Sequence, residues 1–375
     1  MGGFECATQC RRDGTRVDVL QGTGHDRHCA EDYRLLAEAG IHTVRDGLRW
    51  HLIERTPGVY DWSSFLPMLH AANATHTQVL WDLCHWGVPV GLDPFSDEFP
   101  QRFAEFSGAA ARLIRHENMR FGNAAPQMYC PINEISYWTW VGGEVEHFFP
   151  YGTHRGAELK LQFVRASLAA MRAVRVEDPT ARFVLVEPAI HVSPSADRPD
   201  DDQNAHQQTA SQFEVWDMLA GRVATDLGGC DDLLDVLGIN YYWNNEWAYE
   251  GVFTPLGHLQ HKPLHEMLYA LWQRYDRPIV ITETGTEADS MIGWLGYVGA
   301  EVRQVRRMGV PVLGICIYPV MDYPGWDDER HCACGLIEVA ADWSHRRLRE
   351  NVRAELLVQQ RLLTHNTSSI SLTTD

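Results

Sequence analysis

Short apolar runs rich in β-branched residues alternate along the chain with longer stretches whose apolar positions recur every three or four residues. This switching between strand-like and helix-like spacing is the mark of parallel βαβ construction. Eight runs read as strands: Gly3–Ala7, Ile41–Arg45, Gln78–Leu83, Gln127–Asn133, Arg182–Glu187, Asp235–Tyr242, Pro278–Glu283 and Val312–Tyr318. Between the first two, Ala30–Ala39 has helical spacing and meets a stop at Gly40. A long helix is expected to close near Asp178-Pro179.

Eight strands separated by helices predict an α/β fold, a single-domain (β/α)8 TIM barrel. The barrel is expected over residues 1–363, and the polar, Ser/Thr-rich residues 364–375 as a flexible C-terminal tail. Ser193–Gln208, with Asp200-Asp201-Asp202, reads as an exposed acidic loop. Several strands end on a polar or ionisable residue: Arg45, His85, Asn133-Glu134, Glu187, Asn240 and Glu283. In such barrels the C-terminal strand ends carry the chemistry, so these residues are expected on one shared face.

Composition narrows the partners. Fifty acidic residues against 32 Lys and Arg give a formal charge of −18, unfavourable for gripping nucleic acid or an anionic membrane. No run is long and apolar enough for a membrane span, and the first residues lack the pattern of an export signal. Nine cysteines without a regular framework are read as free thiols of a cytoplasmic protein. A small neutral ligand remains the natural partner; the oligomeric state stays open.

Two glutamates stand out. Glu134 closes Met128-Tyr129-Cys130-Pro131-Ile132-Asn133-Glu134, and Glu283 closes Ile279-Val280-Ile281-Thr282-Glu283. On strands four and seven they can face each other across a barrel mouth. Glycoside hydrolysis needs two carboxyl groups flanking one bond, one protonated and one ionised.

The company of this pair resembles glycoside hydrolase family 1, the β-glucosidase-like enzymes of the barrel glycosidase clan, from about Phe4 to Val339. Gly40-Ile41-His42-Thr43-Val44-Arg45-Asp46-Gly47-Leu48-Arg49-Trp50 is similar to the family's strand two, and Pro57-Gly58-Val59-Tyr60-Asp61-Trp62 follows as there. His85-Trp86-Gly87-Val88-Pro89 is similar to its strand three, and Gly238-Ile239-Asn240-Tyr241-Tyr242 to its strand six. The resemblance implies Glu134 as acid/base and Glu283 as nucleophile, with Arg45 and Tyr242 beside Glu283. It implies His85 and Asn133 as ligands of sugar hydroxyls, and Asn240 as a further site residue. No cofactor and no metal are expected.

Strands one and eight depart from the family. Tyr318 stands where a stacking Trp is expected, and Gly325 where a Glu grips the outer hydroxyls, while Trp326 is kept. Gln9 follows Ala7-Thr8 at once, nearer than the family's sugar-binding Gln. The expected substrate is therefore a β-linked glycoside with a sugar specificity altered from glucose, and p-nitrophenyl β-glucoside is expected to be turned over poorly. Trp138, Trp140, Trp243 and Trp247 offer either an aglycone platform or packing.

Two rivals accompany this reading. A transglycosidase would use the same two glutamates, and a carbohydrate-binding barrel would use neither. His331-Cys332-Ala333-Cys334 and His25-Asp26-Arg27-His28-Cys29 lack the spacing of structural zinc sites. Gly22-Thr23-Gly24 is too short for a phosphate loop.

Overall fold

The computed structural model describes residues 1–365 apart from Ala196, Asp197, Pro199, Asp200, Ala288 and Asp327. Eight parallel strands close into a barrel: β1 (Gly2–Gly3), β2 (Thr43–Gly47), β3 (Gln78–Cys84), β4 (Met128–Ile132), β5 (Arg182–Pro188), β6 (Val236–Asn240), β7 (Ile279–Thr284) and β8 (Val312–Ile317). They follow one another in chain order round the ring, and Gly2 pairs with both Val44 and Ile317 to close it. The (β/α)8 architecture is the expected one.

Strand one is shorter than expected. After Gly3 the bond from Phe4 N to Arg45 O continues the ladder (2.9 Å), and the next link to the neighbouring strand ends is Thr8 N to His85 O (3.1 Å). Tyr318 explains the bare glycine: a Cβ on Gly3 would lie 2.3 Å from its ring. The acidic segment also differs from expectation, because Asp202–Ala210 is a helix. Asp200 lies outside the described residues. The last helix, Glu350–His365, runs through the expected start of the tail, whose remaining residues lie outside the described ones.

Helices Glu98–Arg120 and Gly156–Glu177 show why the outer layer holds. Phe99, Phe103 and Phe106 recur at helical spacing on one buried face, where Trp50 and Phe163 meet them with ring centroids 5.1–5.9 Å apart. Burying each such side chain contributes roughly 1.5–3 kcal/mol. No helix among the described residues is long and apolar enough to cross a membrane. All nine cysteines are free.

The barrel interior is stratified. Leu80, Cys130, Val184, Val186, Val236 and Val280 form an apolar cluster packed against Met1 and Met128. Toward the C-terminal ends of the barrel strands, the buried residues become polar: Arg45, Asp82, Asn240 and Thr282. That upper layer holds the candidate site.

Candidate active site

Arg45 organises the polar layer. Its Nε and Nη2 donate to the two oxygens of Asp82 (2.9 and 2.7 Å), and Nη1 donates to Glu283 Oε1 at 2.6 Å. Nη2 also reaches Asn133 Oδ1 at 2.7 Å. A fully buried guanidinium is tolerable only with such complete pairing. The two carboxylates raise the pKa of Arg45 against the effect of burial. Burial alone would raise Asp82, but Arg45 and His85 outweigh it and hold Asp82 below the usual carboxyl range.

Asn133 ties the two glutamates together. Its Oδ1 accepts from Arg45 and, at 3.4 Å, from Asn240 Nδ2, which in turn donates to Glu134 Oε1 at 2.9 Å. Thr282 Oγ1 fixes Asn240 from β7 (2.7 Å). Asn133 Nδ2 donates to His85 Nε2 at 3.0 Å, while His85 Nδ1 lies 3.1 Å from Asp82 and 3.2 Å from Cys6 Sγ. The assignment that satisfies every partner puts the His85 proton on Nδ1. One amide hydrogen of Asn133 is left for a ligand.

The two carboxyl groups sit in unlike surroundings. Glu283 accepts from Arg45 on one oxygen and from the Tyr242 hydroxyl on the other, at 2.9 Å. Val280 faces the interior, so strict alternation would turn Glu283 outward; a register irregularity between Ile239 and Asn240 accompanies its inward placement. Glu134 has no cationic hydrogen-bond partner among the described residues and is 9% exposed. Burial first, and then the charge of Glu283, push its pKa well above the usual carboxyl range. Its backbone is left-handed, with φ 45°, at the turn from β4 into the short helix Ile135–Thr139. Such a conformation costs roughly 1–2 kcal/mol and clusters at working sites.

Glu187 supports that turn from β5. Its carboxylate accepts from Ser136 N (3.1 Å) and the Ser136 hydroxyl, and Glu134 N donates to Val186 O. Burial raises the Glu187 pKa to about 7, with the Ser136 bonds opposing. Trp86, at φ 67°, bonds the Asn133 carbonyl through its ring N–H (3.0 Å). Gly87 follows because any Cβ there would strike Thr8 Oγ1 at 1.7 Å.

The expected residues thus fall into a central group and a flank. Arg45, His85, Asn133, Glu134, Asn240, Tyr242 and Glu283 form one hydrogen-bonded network. Asn240 and Tyr242 share the inner side, while Tyr241 stacks outside on Trp294. Tyr318 is 1% exposed, lies under Arg45 at 5.3 Å and directs its hydroxyl to Glu5, so its ring face is covered. Gln9 and Trp326 lie on the flank, and each has a buried polar atom, Oε1 and Nε1, with no protein partner among the described residues. Trp326 packs edge-on against Trp86.

The aromatic candidates separate. Trp138 is core, stacked on Phe163 at 4.2 Å and bonded to Phe149 O. Trp140 and Trp243 are 54% and 55% exposed. Trp247 lines a different surface groove of about 550 Å³ with Asn204, Gln207, Gln208 and Tyr249, which shares no residue with the carboxylate network.

Sequence reading assigned no role to Asp82, Cys6 or Glu5. A signal existed for Asp82, the one charge inside an apolar strand and two residues from inward-facing Leu80. Cys6, Asp82 and His85 place potential metal-ligand atoms within 4.8 Å of one another. They fit a cation poorly: Asp82 is committed to Arg45, and burial holds the Cys6 thiol neutral by raising its pKa well above the usual value. The earlier metal candidates are spent on structure. His25 is pinned between Asp32 (2.9 Å) and Asp46 (3.2 Å), and His331 bonds the Val339 carbonyl.

No known family's sequence profile matches the chain, and no curated protein matches it. In structure it is similar to the AHE enzyme from Alicyclobacillus herbarius, with a TM-score of 0.75, 18% identity, and 92% of this chain and 88% of that chain covered. It is also similar to the Family 1 β-glucosidase from Thermotoga maritima, with a TM-score of 0.71, 16% identity, and 92% and 87% covered. The virulence factor SghA from Agrobacterium tumefaciens gives a TM-score of 0.72 at 18% identity, with 90% and 86% covered. At these identities the likeness establishes the barrel architecture.

Proposed function

We propose that the chain is a retaining β-glycosidase, with residues 1–363 as its catalytic barrel and a small β-linked glycoside as its substrate. The observation that carries this reading is the pair of unlike carboxyl groups on one network: Glu283 accepts from Arg45 and Tyr242, while Glu134 is buried, and burial first and then the charge of Glu283 raise its pKa. A Family 1 β-glucosidase among the similar structures supports it.

Glu283 attacks the anomeric carbon as Glu134 gives its proton to the departing glycosidic oxygen, leaving a glycosyl ester on Glu283. Glu134, now ionised, takes a proton from water as that water attacks the same carbon, releasing the sugar and restoring both carboxyl groups. As charge leaves Glu283 in the first step, the pKa of Glu134 falls, which suits its change from acid to base. Asn133 has one free amide hydrogen for the hydroxyl beside the reacting carbon.

The sugar is proposed to differ from that of β-glucosidases. Gly325 supplies no carboxylate on the β8 exit, and a Cβ there would lie 2.6 Å from Asp328 Oδ1. The free thiols support a reducing, cytoplasmic setting.

Proton NMR of the first-formed sugar tests the stereochemistry. The β-anomer should appear first and mutarotate later; an α-anomer appearing first would overturn the retaining route. Adding alcohol or sugar acceptors distinguishes hydrolysis from transglycosylation, since a transferase would make glycoside products in preference to free sugar.

A further inference from the structure

A further carboxyl group stands beside the same network. Glu5 leaves the end of β1 and is 3% exposed, as is His85, against 6% for Glu283. Its Oε1 accepts from Ala7 N at 3.0 Å and from the Tyr318 hydroxyl at 3.3 Å, and lies 3.9 Å from His85 Nε2. These contacts fix the rotamer. All of them fall on Oε1, so Oε2 has no protein donor among the described residues. Burial raises the Glu5 pKa, His85 lowers it and Glu283 raises it further, so Glu5 stands close enough to feel the reacting groups. Tyr242 in turn feels the charge of Glu5.

The position of Glu5 in the ring matters. The proton donor Glu134 follows β4, and β8 and β1 lie on the opposite wall. A leaving group protonated by Glu134 departs on the β4 side, so the glycone extends toward β8 and β1. That wall carries two further polar atoms without protein partners, Gln9 Oε1 on the β1 exit and Trp326 Nε1 on the β8 exit. Arg11 ties the two exits together by donating to Trp326 O at 2.5 Å. A buried polar group without a protein partner is costly, and a ligand that satisfies several such groups recovers that cost on binding.

We infer that Glu5 is a glycone-binding residue: its Oε2 accepts a hydrogen bond from a ring hydroxyl remote from the anomeric carbon, and this contact selects the sugar. The inference rests on the glycosidase reading above. It places a carboxyl acceptor just beyond the first strand, on the side of the ring where Gly325 offers none. The preferred sugar is one with a hydroxyl donor there, and an analogue lacking that hydroxyl is rejected because the carboxylate stays unsatisfied.

The test pairs one protein change with one substrate change. Wild type and Glu5→Gln are assayed on p-nitrophenyl glycosides of several sugars, then on the 3-, 4- and 6-deoxy analogues of the best one. Glu5→Gln should lower kcat/KM on the best sugar roughly 10- to 100-fold, as expected for a charge-assisted hydrogen bond. On one deoxy analogue the wild type should show a similar loss, and the substitution should add little. Tyr318→Phe, which releases Oε1 but keeps the carboxylate, should reproduce the same substrate dependence with a smaller loss. This second variant serves if Glu5→Gln fails to fold. Equal losses on the parent sugar and all deoxy analogues would make Glu5 a structural residue and overturn the inference. Turnover of the parent sugars by the wild type tests the glycosidase reading by itself. If none is turned over or bound, that reading falls and the role of Glu5 falls with it; if they are turned over without hydroxyl dependence, only Glu5 falls.

Discussion

The two ends of the barrel interior are built from the same strands to opposite rules. At the lower end Leu80, Val184, Val236 and Val280 fill the axis with branched apolar side chains and leave no polar atom to satisfy. Two residues further along β3 and β7 stand Asp82 and Thr282, and Arg45 of the neighbouring strand β2 completes the pairing of Asp82. The lower end gains stability by removing carbon from water. The upper end holds charge in a place where charge is costly and survives by pairing it. Stability and chemistry are thus separable along a single strand, at a distance of one side-chain repeat.

The sharpest way to break this contrast is to remove one group from the upper layer. Glu283→Gln should lower turnover by about 10⁴-fold or more, while circular dichroism and melting show a folded barrel. Azide should restore activity to Glu283→Ala with an inverted product. Next in size is Arg45→Met, which strips the partner from Asp82 and Glu283 together. Leaving buried charge unpaired costs about 3–5 kcal/mol, so melting temperature and kcat should both fall. An active, equally stable Arg45→Met would refute the view that this guanidinium holds the layer.

At the lower end Leu80→Ala should cost about 2–5 kcal/mol, read as a reduced denaturant midpoint. Its kcat/KM below the melting transition should stay within about twofold of wild type, and a large catalytic loss would deny that the layers are separable. The smallest expected effect lies outside the barrel. His25 is raised to about 9 because Asp46 and Asp32 outweigh the effect of burial. A histidine with a raised folded pKa contributes stability that is fully present below about 6.5 and is lost as pH rises through about 9. Melting temperature should therefore decline across that window, and His25→Gln should flatten the decline. An unchanged slope would show that His25 is neutral in the folded protein.

The apolar half of this comparison was legible in the sequence and the polar half only partly. Seven strands appear within two residues of their expected ends, because buried parallel strands are continuous apolar runs. Strand one is shorter than Gly3–Ala7, since Phe4-Glu5-Cys6-Ala7 has strand-like composition but its ladder stops at the bond from Phe4 N to Arg45 O. Glu134 and Glu283 were visible as charges ending apolar runs. Glu5 and the His25–Asp46 pair were not, because a buried charge and a surface charge look alike until their partners are known. Interior phase was also hidden at Glu283, where a register irregularity near the strand end accompanies a side chain that alternation would send outward. Among the tryptophans, spacing did not distinguish buried Trp138 from exposed Trp140 two residues on.

The central claim is that Glu283 forms a bond to the sugar. Incubation with an activated 2-deoxy-2-fluoro β-glycoside of the preferred sugar, followed by peptide mass mapping, reads that bond directly. One glycosyl adduct is expected, carried by the peptide containing Ile281-Thr282-Glu283-Thr284, with activity lost in step with labelling. An adduct on any other carboxylate, or steady turnover of that reagent's parent glycoside by Glu283→Ala, would contradict it.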